Sequence, residues 1–95
     1  MKYTIQFVQT ETDGSAENLV IKKIERLSRK FQEIINADIF FKEEKDTHGK
    51  GKICEIRLSL PGPRVFASSD EETYEAAVAE TIRDLERQLA KKKGN

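Results

Sequence analysis

Between Asp70 and Lys92 the apolar residues Tyr74, Ala77, Val78, Ile82, Leu85 and Leu89 recur in steps of three, one and four. That spacing lines up one stripe on a helix of 3.6 residues per turn, so it predicts a long amphipathic helix over this stretch. Such a helix cannot stand alone; its stripe has to lie on a sheet or on another helix. Arg83, Arg87 and Lys91, each four residues apart, form a second stripe. Asp70, Glu71, Glu72 and Glu75 crowd the other end, where acids complement the helix dipole. Ser69 or Asp70 reads as the cap.

The rest of the chain supplies the surface this helix needs. Tyr3, Ile5 and Phe7 alternate with Lys2, Thr4 and Gln6, which predicts a half-buried strand over 2–9. Turn and cap residues at 12–15 lead into a helix over about Ser15 to Ile35, with Val20, Ile24, Leu27, Phe31 and Ile34 on its apolar face. Asn36 ends it. A strand over 37–44 places Ile39 and Phe41 on one face and Phe40 on the other. The polar stretch Glu44 to Lys52, with Gly49 and Gly51, is a hairpin loop. Cys54, Ile56, Leu58 and Leu60 point inward from a strand over 53–60. Pro61-Gly62-Pro63 turns the chain into a short fourth strand over 65–68.

The order is β-α-β-β-β-α, an α+β fold. The first two strands, separated by a helix, are expected to be parallel, and the later ones antiparallel. Each helix has one apolar stripe. Both are therefore expected side by side on one face of a four-stranded sheet, a two-layer sandwich with a wetter opposite face.

Charge patterning carries the functional argument. The 95 residues hold 17 basic and 17 acidic side chains, a net charge of zero. By itself this argues against a nucleic-acid binder, which is usually basic overall. The distribution is uneven, however. Residues 22–30 carry Lys22, Lys23, Arg26, Arg29 and Lys30 against Glu25 alone, and residues 83–93 carry Arg83, Arg87, Lys91, Lys92 and Lys93 against Asp84 and Glu86. A purely solvating face interleaves signs; these two do not. Side by side, they make the molecule dipolar and form one positive groove or ridge. Single-strand readers add exposed aromatics. Here Phe31 belongs to the core and Phe40 is the best candidate for an exposed ring. The pattern therefore favours structured RNA gripped by its backbone.

Catalytic chemistry has little to stand on. His48, the only histidine, falls in a Gly- and Lys-rich loop, and Cys54 alternates with Ile56 and Leu58 as a small buried residue. One His and one Cys make a zinc site unexpected. The glycines at 49 and 51 do not open a helix, so no phosphate loop is read there. A lone cysteine forms no internal disulfide, no signal peptide or membrane-spanning run is read, and no cofactor or metal is expected. These features fit a cytoplasmic protein.

Several segments in order carry a resemblance: Tyr3-Thr-Ile-Gln, Ile21-Lys-Lys-Ile-Glu-Arg-Leu, Ile35-Asn-Ala-Asp-Ile, Leu58-Ser-Leu-Pro-Gly, Tyr74-Glu-Ala-Ala-Val and Leu85-Glu-Arg-Gln-Leu-Ala-Lys. In these the chain resembles the ribosome hibernation-promoting factor family, also called ribosome-associated inhibitor A or sigma-factor modulation proteins. The resemblance implies a fold like double-stranded-RNA-binding domains. It implies a non-enzymatic translation inhibitor that binds rRNA of the small ribosomal subunit, where messenger and transfer RNA sit, during stress or stationary phase. Matching contact positions are Lys23, Arg26 and Arg29 in the first helix and Arg83, Arg87 and Lys91 in the second, with Lys22, Lys30 and Lys92 beside them. The chain resembles the short form, one domain over 1–95 without the ribosome-pairing C-terminal domain. Its tyrosine lies one residue further from the Leu-Glu-Arg-Gln-Leu segment than in many relatives, so Tyr74 is assigned no role. A rival reading is an interaction module that takes an acidic partner protein on the same basic face; a small enzyme is a distant third.

Overall fold

Alternation of apolar and polar residues builds the sheet, and 3.6-residue periodicity builds the layer on top of it. The structure, a computed structural model, describes residues 1–45, 49–62 and 64–93, the side chain of Lys93 excepted. The elements are β1 (Lys2–Val8), α1 (Gly14–Lys30), β2 (Asn36–Glu43), β3 (Lys52–Ser59), β4 (Val65–Glu71) and α2 (Tyr74–Lys93). The sheet runs β1-β2-β3-β4, with β1 parallel to β2 and the other pairs antiparallel, as the order of elements requires. The register puts Ile5, Ile39, Ile56 and Ala67 in one cross-strand row, and Phe7, Phe41, Cys54 and Ser69 in the next. Both rows face the helices.

The core is the shared interior of these two layers. Val20, Ile24 and Leu27 of α1 meet Ile39, Phe41, Ile56 and Leu58 of the sheet and Ala77, Val78, Leu85 and Leu89 of α2. Each large side chain buried here contributes roughly 1.5–3 kcal/mol relative to exposure. Phe7 stacks on Phe41 with centroids 4.7 Å apart, and the ring of Tyr74 stands edge-on to Phe41 at 5.2 Å. Tyr74 is buried, and its hydroxyl donates to Thr10 Oγ1 at 3.5 Å. The residue left without a role in the sequence thus closes one end of the core. Thr81, the one polar side chain among the described buried residues, donates from Oγ1 to the Cys54 carbonyl at 3.1 Å.

The structure shifts several boundaries. α1 stops at Lys30 rather than Ile35: Phe31 caps it by donating its N–H to the Leu27 carbonyl, and Ile34 reaches the core from the following turn. The apolar period survives the end of the helix, which is why it read longer. Ile35 then donates to the Ser59 carbonyl, and Asn36 opens β2 instead of closing α1. β4 runs on to Glu71, so Asp70 and Glu71 are strand residues, not the first turn of α2. Asp70 accepts from the N–H of Gly51 at 2.7 Å, which holds the acid to the hairpin loop. The N-cap of α2 is Thr73, whose Oγ1 accepts from the Ala76 N–H at 3.1 Å. Tyr3, expected to point inward, remains 39% exposed because it sits on the open edge of the sheet.

Candidate nucleic-acid interface

Topology decides where the charges go. β1 and β2 are parallel and start at the same end of the sheet; β3 finishes there and β4 starts there. Both helices therefore begin at the opposite end and run back towards it. The starting end of the helices carries Glu11, Asp13, Glu17, Glu43, Glu44, Asp70, Glu71, Glu72 and Glu75, against Lys42, Lys45, Lys50 and Lys52. The finishing end carries Lys2, Arg29, Lys30, Arg64, Lys91 and Lys92, against Glu33. A chain with no net charge is thus split into an acidic and a basic pole along a molecule 41 Å long. The basic residues also lie where two helix C-termini present unpaired carbonyls, so helix dipole and side-chain charge agree locally.

α1 and α2 lie against each other, and their C-terminal halves enclose a groove of about 630 Å³. Lys23, Arg26, Arg29 and Lys30 line it from α1, with Leu27 beneath; α2 contributes Ile82 and Glu86. Lys30 Nζ lies 3.2 Å from Glu86 Oε1, an ion pair that spans the two helices. Both partners are about half exposed, so the pair adds little to stability.

Of the nine basic residues read from the sequence, four come together in this groove. Lys22 sits nearer the start of α1, in a shallower depression with Ser15, Asn18, Leu19 and Glu75. Arg83, Arg87 and Lys91 do not line the groove. Each residue turns a helix by about 100°, so Arg83 and Arg87 stand a quarter turn beyond Ile82 and Glu86 and form an outer ridge on α2. Arg83 is paired with Glu80 one turn earlier. Lys92 approaches the β3–β4 turn, its Nζ 3.5 Å from where a Cβ on Gly62 would lie. The side chains of seven of the nine (Lys22, Lys23, Arg26, Arg29, Arg87, Lys91 and Lys92) make no hydrogen bond or ion pair among the described residues. The expectation of one pooled face is thus refined to a groove walled by α1 and a ridge on α2.

The exposed aromatic is not the expected one. Phe40 is only half-buried but lies under Arg57, whose guanidinium carbon is 5.8 Å from the ring centroid. Phe66 on β4, 52% exposed, is the more open ring. Its alternation signal was present in the sequence, since Val65 and Ala67 beside it point inward, but a strand read as only four residues long hid it.

Elsewhere the chemistry is quiet. Cys54 is fully buried, and burial pushes its thiol up to about 12. Glu43 is held below the usual carboxylate range by its hydrogen bond to Lys52, 2.6 Å away, and by that residue's charge. Lys52 is raised by the same bond and also lies over the Tyr74 ring at 5.3 Å. No group of three or more His, Cys, Asp or Glu side chains is placed to hold a metal among the described residues, and His48 lies outside them. No described helix is long and apolar enough to cross a membrane.

Comparison with known proteins adds the context. The ribosome hibernation promoting factor of Pseudomonas putida is 29% identical over 93 residues, covering 98% of this chain and 87% of that protein. Among solved structures, a ribosomal subunit interface protein from Coxiella burnetii shares the fold with a TM-score of 0.85 at 25% identity, over 100% of both chains. The N-terminal domain of Thermus thermophilus Protein Y does so with a TM-score of 0.74 at 25% identity, over 93% of this chain and 91% of that one. The family model described as sigma 54 modulation protein / S30EA ribosomal protein matches residues 3–95, and this chain belongs to that family.

Proposed function

We propose that the chain is a non-enzymatic ribosome hibernation factor that binds the small subunit through rRNA phosphates on its helical layer. By filling the channel for messenger and transfer RNA it blocks translation under stress or in stationary phase. One observation carries this reading: Lys23, Arg26 and Arg29 share a groove with no acidic partner of their own, along the half of α1 that runs to the basic pole of a chain that is neutral overall. Unpaired cations held together are what a polyphosphate backbone displaces counterions to reach. The Pseudomonas putida relative is a hibernation promoting factor and the Coxiella burnetii relative a subunit interface protein, which supports the same assignment.

The test is sucrose-gradient co-sedimentation with ribosomes. Lys23→Glu/Arg26→Glu/Arg29→Glu and Arg83→Glu/Arg87→Glu/Lys91→Glu are each compared with the native chain, with circular dichroism to verify folding. Loss of co-sedimentation in folded variants is expected, and undiminished binding by both rejects the assignment. With about six phosphates engaged, the log–log salt slope should be near −4 to −5. Recovery from a pull-down that survives nuclease treatment would instead favour an acidic protein as the partner.

A further inference from the structure

The helices cover one face of the sheet; the other face is not uniformly polar. One cross-strand row on it reads Thr4, Asp38, Arg57 and Phe66, and the adjacent row Gln6, Phe40, Glu55 and Ser68. Within this polar field, two rings and a guanidinium cluster on neighbouring strands. Arg57 has Asp38 directly opposite it yet makes no ion pair among the described residues; it lies over Phe40 instead. Asp38 is occupied by Thr4 and Asn36, which donate to its Oδ1 at 2.9 and 3.1 Å. Phe66, 52% exposed, stands across from Arg57.

We propose that the open sheet face, through Phe66, Phe40 and Arg57, stacks unpaired bases of single-stranded RNA. The inference rests on the reading of this chain as an RNA binder and assigns a second surface to it. A planar cation beside an exposed ring is the combination that stacks on nucleobases without reading their sequence. Four-stranded sheets carrying aromatics on an open face use it to hold splayed bases. The surface is also held in place. The side-chain amide of Gln88 on α2 donates to the Phe66 carbonyl at 2.9 Å, fixing the edge strand at that residue.

Continuity of charge favours RNA as the occupant. Lys92, at the end of α2, meets the β3–β4 turn; exposed Arg64 follows that turn, and Phe66 lies two residues on. A strand leaving the helical face at the basic pole passes Lys92 and Arg64 before it reaches the rings. The helical face thus supplies phosphate contacts, and the sheet face supplies stacking.

The experiment uses the full chain with a fluorescein-labelled ten-nucleotide oligoadenylate and a labelled RNA duplex of the same length, read by anisotropy over a salt series. Phe66→Ala should weaken single-strand binding about tenfold and leave both the duplex affinity and the salt slope unchanged. Arg57→Lys, which keeps the charge and loses the plane, should weaken it in the same sense. Absence of single-strand binding by the native chain, an unchanged affinity in Phe66→Ala, or an equal loss on the duplex overturns the proposal. So does loss of ribosome co-sedimentation in Phe66→Ala with oligonucleotide affinity retained, which would mark a protein-binding surface. Failure of the helix-face charge reversals to release ribosomes would reject the proposed function instead, a result independent of the Phe66 readout.

Discussion

The two helices look alike in sequence, each with an apolar stripe and a basic C-terminal half, but the fold uses them differently. α2 approaches β3 and β4 closely, whereas α1 approaches α2 more closely than any strand. Small residues at the seat of α2, Cys54 and Ala67 on the strands and Ala77 on the helix, are consistent with its close approach. α2 is also tethered by polar bonds, from Thr81 to the Cys54 carbonyl and from Gln88 to the Phe66 carbonyl. Its acids, Glu80 and Glu86, neutralise Arg83 and Lys30. α1 keeps its groove-lining cations largely unpaired. Under the proposed function, this difference predicts a division: α2 anchors the layer and α1 supplies most of the affinity.

Charge reversal breaks that comparison most directly. Lys23→Glu/Arg26→Glu/Arg29→Glu on α1 should lower ribosome affinity by about a thousandfold at moderate salt and make the salt slope shallower by about two to three, the loss of three phosphate contacts. Arg83→Glu/Arg87→Glu/Lys91→Glu on α2 should cost less, because Arg83 already shares its charge with Glu80. Equal losses from the two sets would show that ridge and groove contribute alike, and a larger loss from the α2 set would invert the division.

The seat of α2 can be probed through Cys54. Its thiol is raised from its ordinary 9.0 to about 12 by burial beneath the helix layer. A group whose folded value lies above its unfolded one stabilises the fold fully below the unfolded value and loses that contribution as pH rises through the folded one. Stability should therefore fall between pH 9 and 12 with an extra slope of about 1.4 kcal/mol per pH unit at most. Chemical denaturation of the native chain and Cys54→Ala as a function of pH would isolate it. The same slope in both would show that the thiol ionises freely and that α2 does not seal the sheet.

A smaller effect separates the poles. Asp13 Oδ1 accepts from the Ala16 N–H at 3.0 Å at the start of α1, and Thr73 plays the same part for α2. Asp13→Ala should destabilise the fold by about 1 kcal/mol and Thr73→Ala by a similar or smaller amount. Both caps lie at the acidic end, so neither should change the salt slope of ribosome binding. A changed slope would mean that the acidic pole takes part in the contact.

These effects were legible in the sequence to different depths. Strand alternation at Cys54, Ile56 and Leu58 and the helical stripes from Val20 and Tyr74 place nearly the whole core, because burial is periodic and period is written locally. Helix ends were not so readable. Asp70 and Glu71 look like the acidic first turn of a helix, and only their pairing with Ile53 and Lys52 on β3 makes them strand. Phe31 and Ile34 continue a helical period across a turn for the same reason: burial in the tertiary fold, not helix, is what the period records. The basic residues were visible as a set, but which of them stay unpaired depends on Glu86 facing Lys30 across 56 positions of sequence. No local pattern carries that information.

That cross-helix pair also gives the finest test of the division between the helices. Glu86 is the only acid lining the groove among the described residues, and a phosphate reaching Lys30 has to compete with it. The pair is half exposed, so its worth is about 0–1 kcal/mol, and Glu86→Gln should tighten ribosome binding by no more than about fivefold. Freeing Lys30 for one more phosphate should also steepen the salt slope by about 0.7–0.9. If Glu86→Gln weakens binding instead, the carboxylate holds Lys30 in a productive position. α2 would then shape the groove as well as support it, and the separation between an anchoring helix and a binding helix would not hold at this residue.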